Sequence, residues 1–572
     1  MNESVVWAPA ATPAAAAELR RAGYPPWLAA LLARRGVRDR AAAELFLRPG
    51  LDQLHDPGEL AGMTAAVERL LRARRDGESV AVVGDYDVDG VSGTALLAAV
   101  MRACGLEVVT ILPHRLRDGY GFQPAHAERA HRLGCKVVVT VDCGTTSARA
   151  AAVAGELGLD VVITDHHLPG PELPPAVVQI NPQQEACTYP FAELSGAGLA
   201  FKLALALAAA CGRRPPVRQL LRIACLGTIA DLVPLTGENR VIAAIGLAEL
   251  GRTRSPGLRA LAEVARLKPP FTTDDVGYRL GPRLNAPGRL DDAGSALELL
   301  LCGDPHRARQ LAAQLDALNR ERQQRELRVV EEAREVFLAR SSPPPILVAW
   351  RRGWHRGVVG IAAGRLAREL NRPAILLGLE DDSATGSGRS VAGIHLHRFL
   401  APWRAQLERF GGHAQAVGMT VARRRLETLR AGWEEAAEAW REHLAVRRYE
   451  YEIELAPGRI DRRLVAELQR LEPHGQGNPR PLVKVCGPLE LAAPPRLFGR
   501  DHLAAQARGA DGGRLRLVGW GWARRQEVLA GGFEVLGHLE LDRYHGGVVL
   551  RLLDGRPYRP PEPQEAPPAP ED

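Results

Sequence analysis

A chain of 572 residues is too long for one compact core and implies three or four domains of roughly 100–200 residues each. With 46% hydrophobic and 25% charged residues its composition is that of a globular protein, which excludes a collagen-like, wholly disordered or disulfide-stapled chain. A formal charge of +7 argues modestly for affinity to polyanions; four of the 74 basic residues are lysine, an arginine excess that codon bias in a GC-rich genome would produce.

Residues 1–75 are rich in Ala and Arg, with helical patterning around Ala14–Arg21 and Trp27–Arg35, and read as an N-terminal helical cap. No apolar stretch approaches the ~18–20 residues that span a bilayer, and Met1-Asn2-Glu3-Ser4 is not the basic start of a secretory signal. The eight cysteines form no CxxC pair, so a cytoplasmic protein with no membrane partner is expected. From residue 79 short β-branched runs recur at Ser79–Gly84, Val108–Leu112, Val137–Val141, Val161–Thr164 and Val177–Ile180, with Ala/Leu-rich helical patterns between most of them. This alternation predicts an α/β domain over 76–235 with a doubly wound parallel sheet.

A helical region follows over 236–340 and ends in a long helix, Arg307–Arg340. The eight residues Asn319–Glu326 within it are all polar, so it should bridge two domains through solvent. Ser341-Ser342-Pro343-Pro344-Pro345 stops it, and a second α/β domain runs over 341–445. Residues 449–555 alternate short strands with Gly-rich turns, predicting a small β-barrel. The tail at 556–572, with seven prolines, should be disordered.

The chemistry concentrates at strand ends. The first strand finishes in Asp85-Tyr86-Asp87-Val88-Asp89-Gly90, the third in Asp142-Cys143-Gly144 and the fourth in Asp165-His166-His167. In an open parallel sheet, functional groups collect beyond the carboxyl ends of the strands, so these residues should converge. One such aspartate often merely caps the next helix. Three ends with adjacent histidines are another matter: several carboxylates in one cleft repel without a cation, and carboxylate plus imidazole without thiolate suits Mn²⁺ or Mg²⁺. Two such ions around a shared carboxylate form the arrangement used for phosphoester hydrolysis.

Asp85–Gly90, Asp142–Gly144, Asp165–His167 and Gly227–Leu235 resemble motifs I to IV of the DHH phosphoesterases. Leu112–Arg115, Asp118–Gly121 and Gly281–Arg289 are similar to segments of the RecJ family within that superfamily, and the similarity covers about residues 75–555. The resemblance implies a single-stranded-DNA-specific 5′→3′ exonuclease of DNA repair and recombination that releases 5′-mononucleotides. It implies that Asp87, Asp89, Asp142, His166 and Asp231 hold two divalent ions, Asp142 bridging them. Many relatives carry a histidine where this chain has Val83, and Asp85 would compensate. His167 would face the substrate, with Asp165 orienting an imidazole, so that Asp142, His167 and Asp165 form the catalytic set.

The second α/β domain resembles DHHA1, with Trp354–Gly360, Gly386–Ser390 and Gly411–Ala414 as its signatures. Arg115, Arg283, Arg289, Ser387, Arg389 and His413 are the implied substrate-binding residues. The barrel resembles an OB-fold, introduced by Glu472–Pro479, with Phe498, Trp520, Trp522, Phe533 and Tyr544 available to stack on bases. Gly196-Ala197-Gly198 lacks the third glycine and acidic partner of a dinucleotide fingerprint. The family also implies a single-strand-binding protein and a RecQ-type helicase as partners; a monomer is expected, and a channel between the two α/β domains, spanned by the long helix, should be too narrow for duplex. Two rival readings are a DHH phosphodiesterase for short oligonucleotides or cyclic dinucleotides, which generally lacks such a barrel, and a metal-free single-strand-binding accessory protein, in which the motif aspartates should be substituted.

Overall fold

Five β-branched segments form an all-parallel sheet: β1 (Ser79–Gly84), β2 (Glu107–Ile111), β3 (Val137–Val141), β4 (Asp160–Thr164) and β5 (Val178–Ile180). Alternate residues of β1 enter different cores, Val80 and Val82 on one face and Ala81 and Val83 on the other. Burial on both faces is why these strands read as continuous apolar runs. In this computed structural model, which describes residues 4–115, 117–340, 342–499, 501–542 and 546–560, the strand order is β2-β1-β3-β4-β5. That order reverses direction between β1 and β3, the place where an open α/β sheet leaves a crevice for a ligand.

The chain falls into two compact units, Pro49–Arg447 and a second made of Val5–Arg48 with the chain from Arg448 onward. In the first unit, helices α1 (Val88–Ala103), α2 (Gly196–Ala210) and α3 (Val217–Ala230) contribute to the core on one side of the sheet. A fourth, α4 (Gly281–Leu290), precedes the long helix α5 (Pro305–Leu338). The first half of α5 buries Ala308, Leu311, Ala312 and Leu315 in that core. Its second half buries Val329, Val330, Ala333 and Phe337 against α6 (Arg356–Leu370) and a mixed five-stranded sheet. The strands of that sheet are β6 (Leu347–Arg352), β7 (Ala374–Leu379), β8 (Ser383–Arg389), β9 (Arg409–Gly412) and β10 (Ala416–Ala422), in the order β9-β10-β8-β7-β6.

The middle of α5 departs from the expectation of full solvation. Asn319 and Arg322 are buried, because Arg322 donates to Asn319 Oδ1 at 3.0 and 3.1 Å and to Glu326 Oε2 at 2.9 Å. Polar residues one helical turn apart satisfy one another, and that makes burial tolerable. Ser341, in the expected stop of this helix, lies outside the described residues.

In the second unit five strands close a barrel: Val483–Leu491, Phe533–Leu541, Val548–Pro557, Arg514–Gly519 and His502–Gly509, the last pairing back onto the first. Its core is shared with the N-terminal segment, since Leu19, Leu28, Leu31, Leu32 and Phe46 cluster with Val483, Val535 and Leu550. Residues 5–48, read from sequence as part of a cap running to 75, thus pack with the barrel, and Ser4–Pro9 is a strand paired with Val446–Tyr451. Arg35 fixes this arrangement, donating to Asn478 Oδ1 at 2.7 Å and pairing with Glu452 at 3.1 Å. Pro557, placed in the tail by sequence, ends the last barrel strand. The tail from 561 lies outside the described residues.

Candidate active site

Asp87 ends the loop after β1 and caps α1, its Oδ1 accepting from the N–H groups of Asp89 and Gly90 at 2.9 and 3.2 Å. Helix capping and a metal-ligand role coexist here, because a carboxylate has two oxygens. Asp89 is buried, and the first turn of α2 donates to both its oxygens, Gly196 N–H at 2.7 Å and Ala197 N–H at 2.9 Å. Gly196 is required there: a Cβ would stand 2.5 Å from Cβ of Asp142. The Gly196-Ala197-Gly198 turn, set aside above as a nucleotide fingerprint, therefore belongs to the site as the clamp on Asp89. Asp142 itself, at the end of β3, adopts the left-handed φ of 63°, a strained conformation for a non-glycine residue.

Three groups of donors lie with their ligand atoms within 4.8 Å of one another: Asp85, Asp87 and Asp142; Asp89, His166 and Asp231; and Asp142, His166 and His167. Asp142 belongs to two of them. His166 Nε2 is 3.1 Å from Asp142 Oδ1 and 3.6 Å from Asp231 Oδ2. Even so, Asp85 Oδ1, Asp142 Oδ1 and His166 Nε2 are buried without a hydrogen-bond partner among the described residues. Burial, and after it the charge of Asp87, pushes Asp89 up to about 7; burial and the charges of Asp89 and Asp87 push Asp231 up to about 9. Asp85 and Asp142 are raised well above the carboxylate range for the same reasons. Burial and the neighbouring His167 lower His166 to about 4, leaving a neutral imidazole with a free lone pair. Orphaned oxygens and a neutral imidazole in a cleft that repels its own negative charge fit a divalent cation. Val83 is buried in a hydrophobic core, whereas Asp85 offers a ligand atom within 4.8 Å of those of Asp87 and Asp142.

The other residues of the loop after β4 hold one another. Asp165 Oδ1 accepts from His167 Nδ1 at 2.7 Å and its Oδ2 from Thr145 N–H at 2.9 Å. Burial alone would lower His167, but the hydrogen bond and charge of Asp165 prevail and raise it to about 9, so the ring is a cation at neutral pH. Burial opposes ionisation of Asp165, yet the same bond holds it down at about 2. Tyr120 Oη lies 3.0 Å from His167 Nε2 and Asn181 Nδ2 donates to the His167 carbonyl at 2.8 Å. Asn181 carried no signal in the sequence, because its partners are set by the sheet order.

A second cluster carries the opposite charge. Arg289 is lowered to about 9 by burial and then by the charges of Arg115, Arg322 and Arg389, while Asp87 acts in the other direction. Arg289 donates to the Gly357 carbonyl at 3.3 Å, Arg115 lies 4.7 Å over the Tyr86 ring, and Arg389 donates to Ser387 Oγ and to the Gly388 carbonyl. Among the described residues none of Arg115, Arg289 and Arg389 has a carboxylate within ion-pair distance. Helix α4 brings Arg289 in: Asn285 Oδ1 accepts from Val88 N–H at 3.1 Å, and Gly288 lets the helix approach where a Cβ would meet the Tyr86 carbonyl at 2.6 Å. Arg283, on the same helix, is instead held by Asp316 at 2.9 Å and the Arg279 carbonyl at 2.7 Å. His413 is exposed at the tip of the β9–β10 hairpin.

In the barrel unit a cavity of about 480 Å³ is lined by Arg496, Phe498 and Trp520, and by Arg516 and Arg551, which pair there with Asp542 at 3.1 Å and Glu540 at 3.5 Å. Trp520 is 58% exposed and meets Phe498 and His502 edge-to-face, with ring centroids 5.6 and 4.7 Å away. Trp522 and Phe533 belong to the core and are unavailable for stacking, while Tyr544 lies outside the described residues.

Comparison with known proteins gives three family models in succession. The DHH family N-terminal domain matches residues 79–228, the DHHA1 domain 344–439 and the RecJ OB domain 451–553. The single-stranded-DNA-specific exonuclease RecJ of Bacillus subtilis is 36% identical over 538 residues, covering 92% of this chain and 67% of that one. The protein of the same name from Dickeya dadantii is 38% identical over 515 residues, covering 86% and 88%. The crystal structure of RecJ in complex with Mn²⁺ from Thermus thermophilus matches with a TM-score of 0.81 at 31% identity, over 98% of this chain and 80% of that one. The chain belongs to the RecJ family of DHH phosphoesterases.

Proposed function

We propose that this protein is a single-stranded-DNA-specific exonuclease, acting 5′→3′ by metal-dependent phosphodiester hydrolysis and releasing 5′-mononucleotides in DNA repair and recombination. The observation that carries the reading is the pairing of two unneutralised charge clusters in one unit, carboxylates that call for cations and arginines that call for phosphate, with Asp87 close enough to Arg289 to favour its charge. Asp87, Asp89, Asp142, His166 and Asp231, with Asp85, would hold two Mn²⁺ or Mg²⁺ ions, which when bound supply positive charge against phosphate oxygens and acidify water.

The remaining steps belong to side chains. Asp165 fixes the orientation of His167 beside the carboxylates, where the ring can supply a hydrogen bond to the leaving 3′-oxygen. Arg115, Arg289 and Arg389, with Ser387, grip the terminal 5′-phosphate, and a guanidinium's planar fork suits that bidentate task. His413 lies further out along the strand. In the second unit the Trp520–Phe498 surface stacks bases, with Arg496 beside it for a phosphate, which selects unpaired strands.

The domain limits read from sequence, with 76–235 as the metal domain, 341–445 as the substrate domain and 449–555 as the barrel, form part of this proposal. So do the narrow channel, the monomeric state and the cytoplasmic location and, on family membership, the single-strand-binding protein and RecQ-type helicase as partners. No helix among the described residues is long and apolar enough to cross a membrane. The small-substrate reading is not favoured in a chain with this barrel, nor the metal-free one where every motif carboxylate is present. The test is digestion of end-labelled strands with Mn²⁺. A 5′ block should stop the reaction, a 3′ block should not, and blunt duplex should resist; rapid digestion of 5′-blocked strands would refute the polarity.

A further inference from the structure

Among the described residues the two most exposed leucines are Leu232 and Leu168, at 71% and 67%. Each directly follows a member of the carboxylate–imidazole cluster, Leu232 after Asp231 and Leu168 after His167. The two loops that carry them meet at the site, where His166 Nε2 stands 3.6 Å from Asp231 Oδ2.

Leu232 is also strained. Helix α3 ends with Asp231 as its C-cap, and the next residue takes a φ of 62°. A helix is commonly closed in that left-handed conformation by glycine, which suffers no Cβ penalty there. A leucine at this position is disfavoured by its backbone and gains little from burial. Fold stability therefore gives no reason for it, and an outlier of this kind beside a reacting centre points to function.

An apolar side chain offers nothing to a phosphate or a metal ion. It does fit the flat face of a nucleobase, which every nucleotide carries a few ångströms from its phosphate. We infer that Leu232, with Leu168 on the neighbouring loop of the site, offers an apolar surface against which the base adjoining the scissile phosphate packs. That surface sets the register of the strand over the carboxylates, so that the phosphate arrives in line rather than merely nearby. The inference rests on the nuclease reading above and assigns a positioning role for the reaction to two residues outside the metal ligands.

The experiment compares kcat/KM, with full-length protein and Mn²⁺, on 12-mers that have a natural base or an abasic residue at each of the first two 5′ positions. Wild type should cleave the abasic strand about tenfold more slowly, the scale of burying about two methylene-sized groups. Leu232→Gly and Leu168→Ser should each shrink that ratio towards one, by slowing the natural strand more than the abasic one. Leu133→Ser is the control. That leucine is also exposed, at the end of the helix Pro124–Arg132, and the ratio should stay at its wild-type value. Leu232→Gly should melt no lower than wild type, which separates loss of that surface from loss of the fold. A wild-type ratio of one, or an undiminished ratio in both Leu232→Gly and Leu168→Ser, overturns the inference while leaving the nuclease intact. Failure of wild type to cleave either strand overturns the nuclease reading and the inference with it.

Discussion

The carboxylates at the strand ends and the arginines that surround Arg289 are two clusters of like charge, and they are assembled in opposite ways. The carboxylates come from short motifs at successive ends of one sheet, with a single later aspartate from α3. The arginines without a carboxylate partner come singly, from the loop after β2, from α4 and from β8, beside Arg322 of α5, whose charge Glu326 already pairs. Elsewhere the molecule neutralises buried charge internally. Lys202 pairs with Glu238, and Arg69 pairs with Glu78 at 2.7 Å and with Asp160. The contrast teaches that a buried charge with an internal partner holds the fold together, whereas a buried cluster of one sign waits for a ligand of the other. Each cluster should therefore behave as a cost to the free protein and a gain to the complex.

The largest effect is expected at the carboxylates. Asp142→Asn should slow Mn²⁺-dependent hydrolysis roughly a thousandfold, about 4 kcal/mol of barrier, and should abolish the rise in Tm that Mn²⁺ gives wild type. The metal-free variant should nevertheless be more stable than metal-free wild type, because a buried carboxyl that burial and its neighbours keep from ionising is replaced by a neutral amide. Raised carboxyl values also fix a pH dependence. The folded protein retains protons that the unfolded chain releases near pH 4. The metal-free form therefore loses this contribution as pH rises through about 7 for Asp89 and about 9 for Asp231, and saturating Mn²⁺ should flatten the decline. Thermal melts across that range, with and without Mn²⁺, measure it; a metal-free stability that rises with pH would refute the repulsion argument.

The arginines give the next effect. Arg389→Ala or Arg289→Ala should weaken binding of a 5′-phosphorylated strand by roughly 10–100-fold, since a hydrogen bond to a charged group contributes about 1.5–3 kcal/mol. The same strand with a 5′-hydroxyl should be affected far less. The slope of log affinity against log salt should become shallower by about 0.7 for each phosphate the variant no longer neutralises. Neither variant should melt below wild type by more than a degree or two; a large destabilisation would place these arginines with the structural pairs.

A smaller effect is expected in the barrel. Trp520→Ala should weaken a 20-mer roughly 5–10-fold and a trinucleotide hardly at all, as removal of one base-stacking platform requires. A point substitution is preferable to removing residues 449–572, because that deletion would uncover Leu19, Leu28, Leu31 and Leu32 of the N-terminal segment.

The carboxylate site was legible in the sequence because three strand ends of a parallel sheet converge by topology, so strands located within a residue or two were enough. The clamp on Asp89 was not. Gly196 and Ala197 act on a carboxylate more than 100 residues earlier, and nothing local marks a helix start as a carboxylate holder. The strand Ser4–Pro9 was missed for the same reason, its partner lying at Val446–Tyr451. Asn319 and Arg322 failed differently: their polarity is plain in the sequence, but their mutual satisfaction on α5 is a geometric fact. Among so many arginines, those with a carboxylate partner and those without one look alike until the fold is known.

Arg283 shows this most directly and gives the smallest effect. Sequence placed it with Arg289, six residues away in one motif, as a substrate-binding residue. The fold gives its guanidinium to Asp316 and to the Arg279 carbonyl, so little of its donor capacity remains for a phosphate. Arg283→Ala should leave the salt slope and the preference for a 5′-phosphate unchanged. The stability cost should also be small, about 1 kcal/mol or less, because Asp316 keeps Arg320 at 3.1 Å and does not become an unpaired buried charge. A double variant with Arg320→Ala should cost more than the sum of the two single changes, since only then is Asp316 left alone. If Arg283→Ala instead makes the salt slope shallower by about 0.7, the ion pair with Asp316 opens in the complex and Arg283 joins the phosphate path.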